Sequence, residues 1–149
     1  MIRILEVAHG EIEPFMEREW QMDNDARSPD LDQRVDWEPR RHCLAAYEDE
    51  ELVGSAVYRI RGGVAHLGNL IIAHLQRGRG IGGALVDEFI RRAEEAGCHK
   101  LTLTTDRDQR AVRFYGQHGF TVEAVFHNDA YHLERCQMAL FFESPPDRG

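Results

Sequence analysis

Apolar and polar residues alternate along Met1-Ile2-Arg3-Ile4-Leu5-Glu6-Val7 and predict a first strand. The period then lengthens to that of a helix at Ile12, Phe15, Met16, Glu19 and Trp20, with Pro14 in the first turn and Asp23 to Pro29 as the stop. A short second helix is expected around Leu31 to Trp37, ended by Pro39. His42 to Tyr47, Leu52 to Ile60 and Val64 to Ile72 read as strands. Glu48-Asp49-Glu50-Glu51 and Arg61-Gly62-Gly63 between them are hairpin-length turns, so the three form an antiparallel meander. Ile81, Leu85, Phe89, Ile90, Ala93 and Ala96 next make a helical stripe that stops at Gly97. Lys100 to Thr105 is a short strand, Asp108 to His118 a helix closed by Gly119, and Thr121 to Phe126 and Leu133 to Phe142 the last strands. Glu143 to Gly149, with Pro145-Pro146, reads as a frayed, disordered tail.

This order predicts an α/β fold with a mixed, mostly antiparallel central sheet and helices on both faces, in a single domain over residues 1–142. Val64–Ile72, Ile81–Ala96 and Lys100–Thr105 form a βαβ unit. Its right-handed crossover leaves the segment between strand and helix at the carboxyl end of the strand.

At 149 residues the chain is long enough for one core and too short to suggest a second domain. A hydrophobic share of 42% and a charged share of 30% fit a soluble protein, and no apolar run approaches the ~20 residues that span a bilayer. The acid at Glu6 interrupts the N-terminal segment too early for a signal peptide, so a cytoplasmic location without membrane partners is expected. Cys43, Cys98 and Cys136 are odd in number and far apart, which predicts buried reduced thiols. No C-x-x-C occurs, and His127, His132 and Cys136 lack ligand spacing, so no metal is expected. The net charge of −8 argues against a nucleic-acid partner. Acidic residues crowd the stretch from Glu11 to Glu38, where they either steer a cationic substrate or form a solvated face.

Gln76-Arg77-Gly78-Arg79-Gly80-Ile81-Gly82-Gly83 carries the strongest chemical signal. Four glycines between an apolar strand and an amphipathic helix let the backbone turn tightly and aim successive N–H groups, with the helix N-terminus, at a pyrophosphate. Gly78 to Gly83 also satisfies G-x-G-x-x-G, with Asp106 as a ribose-binding acid, but only one βαβ unit is present and the strand ends several residues before the glycines. A P-loop is excluded because Gly83 is followed by Ala84-Leu85 rather than Lys-Ser/Thr.

Two linked motifs resemble the GNAT N-acetyltransferases. Arg77-Gly78-Arg79-Gly80-Ile81-Gly82 is similar to that family's Gln/Arg-x-x-Gly-x-Gly/Ala loop, and Ala111-Val112-Arg113-Phe114-Tyr115-Gly116-Gln117-His118-Gly119-Phe120 to its Ala-x-x-Phe-Tyr-x-x-x-Gly-Phe segment. The resemblance implies acetyl-CoA as cosubstrate, a primary amine acceptor and direct transfer in a ternary complex; it is also compatible with a homodimer. It further implies that the backbone of Arg77, Gly78, Arg79, Gly80, Ile81 and Gly82 holds the pyrophosphate and that Leu70 and Ile72 pair with the pantetheine arm. Asp108 stands where many members have a cofactor-contacting Asn, and a carboxylate cannot donate the amide's hydrogen bonds. Tyr115 matches the family's general acid, a phenol that donates to the departing thiolate, although on its own helix it reads equally as core. A backbone N–H at Leu70 to Ile72 is the expected oxyanion donor.

The general base is less legible. The strand before the loop contains no carboxylate, so His66 is the nearest titratable group, with Glu123, His127 and Tyr131 as further candidates. The alternatives to an enzyme of this kind are a non-catalytic acyl-CoA-binding sensor and a nicotinamide-dependent oxidoreductase.

Overall fold

The computed structural model describes residues 1–27 and 36–142. The chain divides into two compact units, Met1–Asp36 and Trp37–Gly149. The first contains helix α1, His9–Arg27. It runs through Asp23-Asn24-Asp25, where a stop was expected, and the Gln21 side chain donates to Asp25 Oδ1 at 2.9 Å one turn on. Met1 to Val7 forms no strand, contrary to its alternation. No described strand pairs with this stretch, so its pattern has no ladder to satisfy it. Residues 31–35 of the expected second helix, and the expected tail 143–149, lie outside the described residues. Among the described residues no helix is long and apolar enough to cross a membrane.

The second unit is built on six strands: β1 (Arg40–Glu48), β2 (Glu51–Arg61), β3 (Val64–Ile72), β4 (Lys100–Asp106), β5 (Thr121–Phe126) and β6 (Arg135–Phe141). Their spatial order is β1-β2-β3-β4-β6-β5. All neighbours are antiparallel except β3 and β4. Helix α2 (Ile81–Glu95) connects that parallel pair, and α3 (Gln109–Gly116) follows β4. The apolar stripe of α2, Leu85, Val86, Phe89 and Ala93, is buried in one cluster with Ala56, Tyr58, Ala65, Leu67, Leu101 and Leu103 of the sheet. Burial of each large side chain there stabilises by about 1.5–3 kcal/mol. Cys98 and Cys136 are buried free thiols as expected; Cys43 instead is exposed, because β1 is an edge strand with little core of its own.

Two local features open the sheet. The register between β2 and β3 slips between Val57 and Tyr58, leaving Gly68 without a partner. The slip inverts the side-chain phase of β3: Ala65 and Leu67 join the α2-side core before it, Leu70 and Ile72 after it, and His66 and Asn69 project to the other face. The parallel ladder with β4 also stops at Leu67–Leu103, although β3 continues to Ile72 and β4 to Asp106. At the same end, Gly54 of β2 lets α2 approach closely. A Cβ there would stand 2.9 Å from Ile72 Cδ1, 3.1 Å from Leu85 Cδ1 and 3.2 Å from Ile81 Cγ2.

Candidate active site

Where β3 and β4 part, a cavity of about 780 Å³ opens between Leu70, Ile71 and Ile72 on one side and Thr105 and Asp106 on the other. The glycine loop and the first turn of α2 close one end, and α3 closes the other with Asp108, Arg110, Ala111, Phe114 and Tyr115. Gly78 and Gly80 have φ of 81° and 82°, in the left-handed region where a Cβ is strained. Gly80 is also the N-cap of α2, and no side chain caps that helix. The first-turn amides of Ile81, Gly82 and Gly83 therefore lack intrahelical partners on the cavity wall, an arrangement that suits an anionic oxygen. Gly82 keeps this wall shallow, since a Cβ there would reach to 3.5 Å from Phe114 Cζ. These residues fit the diphosphate end of a coenzyme A thioester.

The residues expected at the site divide into three groups. Leu70, Ile72, Arg77, Gly78, Gly80, Ile81, Gly82, Asp108 and Tyr115 all line this cavity. Arg77 Nε lies 3.3 Å from the Ile72 carbonyl oxygen, so its side chain ties the loop back to β3. Asp108 is the N-cap of α3, its Oδ1 accepting the Ala111 N–H at 2.8 Å, which commits one carboxylate oxygen to the helix. Arg79 does not line the cavity. Its guanidinium grips Glu48 in a two-pronged ion pair, at 2.5 and 3.0 Å, and also donates to the Gln76 side chain. Arg79 in turn holds the Glu48 carboxyl below its ordinary range.

Tyr115 is half-buried, edge-on to Phe114 at 4.9 Å and to Phe120 at 6.2 Å. Burial raises its phenol pKa, so it stays protonated and able to donate. His66 stands apart. It lines a second cavity of about 450 Å³ with Arg41, Val57, Tyr58, Arg59, Gly68 and Asn69. Its Nδ1 is 2.7 Å from Oγ1 of the buried Thr102, its partner across the parallel ladder. Burial, and then the charge of Arg59, push the His66 pKa below its ordinary value. A depressed pKa contributes stability in full above the unfolded value of about 6.5, and that contribution is lost as pH falls through the folded value. Melting temperature is therefore expected to drop on acidification below about pH 6.5 by a component that His66→Gln lacks. Parallel curves for the two proteins would contradict it.

The other base candidates line neither cavity. Glu123 pairs with Lys100 and accepts from Gln137 at 3.1 Å, which lowers its pKa. His127 bonds Glu134 at 2.8 Å, and Tyr131 is 94% exposed. Sequence reasoning missed Arg110, Thr105 and Glu48. Arg110 directly precedes the Ala111–Phe120 segment and belongs to no pattern that would have marked it.

A sheet parted at its one parallel pair, with a helix N-terminus and a glycine loop at the gap, is the arrangement of an α/β acyltransferase. The chain belongs to the acetyltransferase (GNAT) family, whose model, described as "Acetyltransferase (GNAT) family", matches residues 9–120. Its fold is similar to that of an acetyltransferase from Bacillus cereus ATCC 14579, at a TM-score of 0.77 and 19% identity over 95% of this chain and 98% of that one. In sequence it is 33% identical over 85 residues to a probable glucosamine 6-phosphate N-acetyltransferase 2 of Oryza sativa subsp. japonica, covering 56% of this chain and 43% of the relative. It is 28% identical over 112 residues to the N-alpha-acetyltransferase MAK3 of Arabidopsis thaliana, covering 69% and 57%. The chain spans about half the length of the curated relatives it matches.

Proposed function

We propose that this domain transfers the acetyl group of acetyl-CoA to a primary amine by direct attack in a ternary complex. The observation that carries the reading is the 780 Å³ cavity, which joins an anion-binding helix terminus to the unpaired stretch of β3 and to a protonated tyrosine. Gly78 to Gly82 bind the diphosphate, and the backbone from Leu70 to Ile72 presents hydrogen-bonding groups to the thioester arm. An N–H of that stretch, held by the β2 ladder, donates to the acetyl oxygen as negative charge develops on it. Tyr115 donates its proton to the leaving thiolate. His66, kept neutral by burial, takes the proton of the incoming ammonium through a water relay along the opposite face of β3. Both named relatives are N-acetyltransferases, which supports a nitrogen acceptor.

Thermal unfolding with acetyl-CoA and, separately, with NAD tests the binding half. At ~100 times Kd a ligand of the native state adds ~2.7 kcal/mol, several degrees in a domain of this size. Release of free CoA thiol across a panel of amines tests the transfer half. A rise with NAD alone would overturn the reading, and binding without turnover would leave an acyl-CoA-binding module.

Arg79 supplies a further expectation. Its ion pair with Glu48 is exposed, so it adds little to stability, yet it holds a cation of the loop away from the cavity. Glu48→Gln is expected to tighten acetyl-CoA binding several-fold, a fraction of a charge-assisted hydrogen bond because the guanidinium stays solvent-exposed, with little change in melting temperature. Unchanged affinity in calorimetric titration would leave Arg79 a surface residue.

A further inference from the structure

The second cavity carries a charge pattern that the acetyl-transfer chemistry does not use. Arg41 and Arg59 face each other directly across β1 and β2, and Arg59 in turn faces His66 across β2 and β3. The row continues to Thr102 on β4, so all of these side chains share one sheet face. Tyr58, one residue from Arg59, packs on Phe89 of α2, which places the row on the face away from α2. Like charges directly opposite one another in a sheet are destabilising. Within residues 37–142 no carboxylate pairs with Arg41 or Arg59, and none lines the cavity. Arg79, Arg91 and Arg92, by contrast, each have a carboxylate partner: Glu48, Glu88 with Glu95, and Glu88. A local rule broken without internal compensation marks a position shaped for a ligand.

The cavity also reaches the reacting region. Asn69 and Gly68 line it at the bulge, and Leu70, the next residue, lines the cavity assigned to acetyl-CoA on the other side of β3. From Asn69 back to His66 is three strand residues, a span of ~10 Å. An acceptor lying along this path would place its amine at the bulge and its far end between the two guanidiniums.

We propose that the cavity of Arg41, Arg59, His66 and Asn69 is the acceptor site and that Arg41 and Arg59 bind an anionic group of the acceptor, a carboxylate or a phosphate held some ~10 Å from the amine. This rests on the acetyl-transfer reading above and narrows it to amines that also carry an anion. The acidic stretch from Glu11 to Glu38, read in the sequence as steering a cationic substrate or as a solvated face, belongs largely to the other compact unit.

The test uses matched pairs of amines on the full chain: an ω-amino carboxylate against its amide, an aminoalkyl phosphate against the amino alcohol, and a polyamine as the cationic arm. Thiol release is expected to favour the anionic member of at least one pair, and which pair separates carboxylate from phosphate. Arg59→Gln is expected to raise KM for that member by about 10- to 100-fold, the loss of one charged hydrogen bond, with a much smaller effect on kcat. In parallel, the arginine Nε resonances are followed by NMR while inorganic phosphate, and then acetate, is titrated. Saturable shifts at Arg41 and Arg59, abolished in Arg41→Gln/Arg59→Gln, are expected even where no amine of the panel turns over. Preference for neutral or cationic amines, or absence of saturable shifts, overturns the inference while acetyl-CoA binding stands. Failure of acetyl-CoA to raise the melting temperature overturns the acetyl-transfer reading itself.

Discussion

Tyr115→Phe is expected to lower kcat by about 10²- to 10⁴-fold, the range for loss of a positioned general acid, while Kd for acetyl-CoA hardly moves. The ring is the structural part of this residue. It packs edge-on against Phe114 and Phe120, and a phenylalanine keeps both contacts. What the substitution removes is the one hydroxyl that α3 contributes to the cavity wall. Because burial raises the phenol pKa, the wild-type rate is expected to hold through neutral pH and to decline only above the ordinary phenol value of about 10. The sign follows from the role: the acid form donates, and a raised pKa extends its range upward. The variant loses that alkaline limb along with its rate. Steady-state kinetics across pH with calorimetric titration of acetyl-CoA check both halves. If the variant keeps its kcat, the thiolate takes its proton from elsewhere and Tyr115 is a packing residue.

The glycine loop and the helix beside it were legible because their signals lie in adjacent residues. Gly78 and Gly80 need left-handed backbone, the stripe from Ile81 to Ala93 needs a sheet to bury it, and both signals are local. Strand β3 was legible to the residue, from just after Gly63 to the Ile71-Ile72 pair. What was not legible depends on partners far apart in the chain. Arg79 and Glu48 are 31 residues apart, and nothing near either one announces the ion pair. The bulge at Gly68 leaves no mark in the apolar pattern, yet it decides that His66 and Asn69 share a face while Leu70 turns back to the core. Read as an unbroken strand, Val64 to Ile72 puts Asn69 on the same face as Leu67. The failure at Met1 to Val7 has the converse cause: alternation describes what a strand would bury, and cannot supply the neighbour it needs.

Gly80→Ala and Gly82→Ala are expected to weaken acetyl-CoA binding together while moving stability in opposite directions. At Gly80 the φ of 82° forces an alanine into left-handed backbone, at about 1–2 kcal/mol, so the melting temperature falls by about 2–8 °C. The strain falls on the N-cap that aims the first amides of α2 into the cavity. Loss of one such bond to an anionic oxygen weakens acetyl-CoA by about tenfold or more. At Gly82, inside the first turn of α2, no left-handed strain arises, and alanine is the better helix former by up to about 1 kcal/mol. Its Cβ meets Phe114 and Ile72 at 3.5 and 3.7 Å, ordinary contact distances, so the free protein holds or gains stability. The same methyl nonetheless stands on the cavity wall, where the ligand's diphosphate must approach the backbone. Differential scanning calorimetry without ligand and titration with acetyl-CoA separate the two effects. Undiminished affinity in Gly82→Ala would mean that the first turn of α2 does not touch the ligand, and the cradle would have to lie in the loop from Arg77 to Gly80 alone.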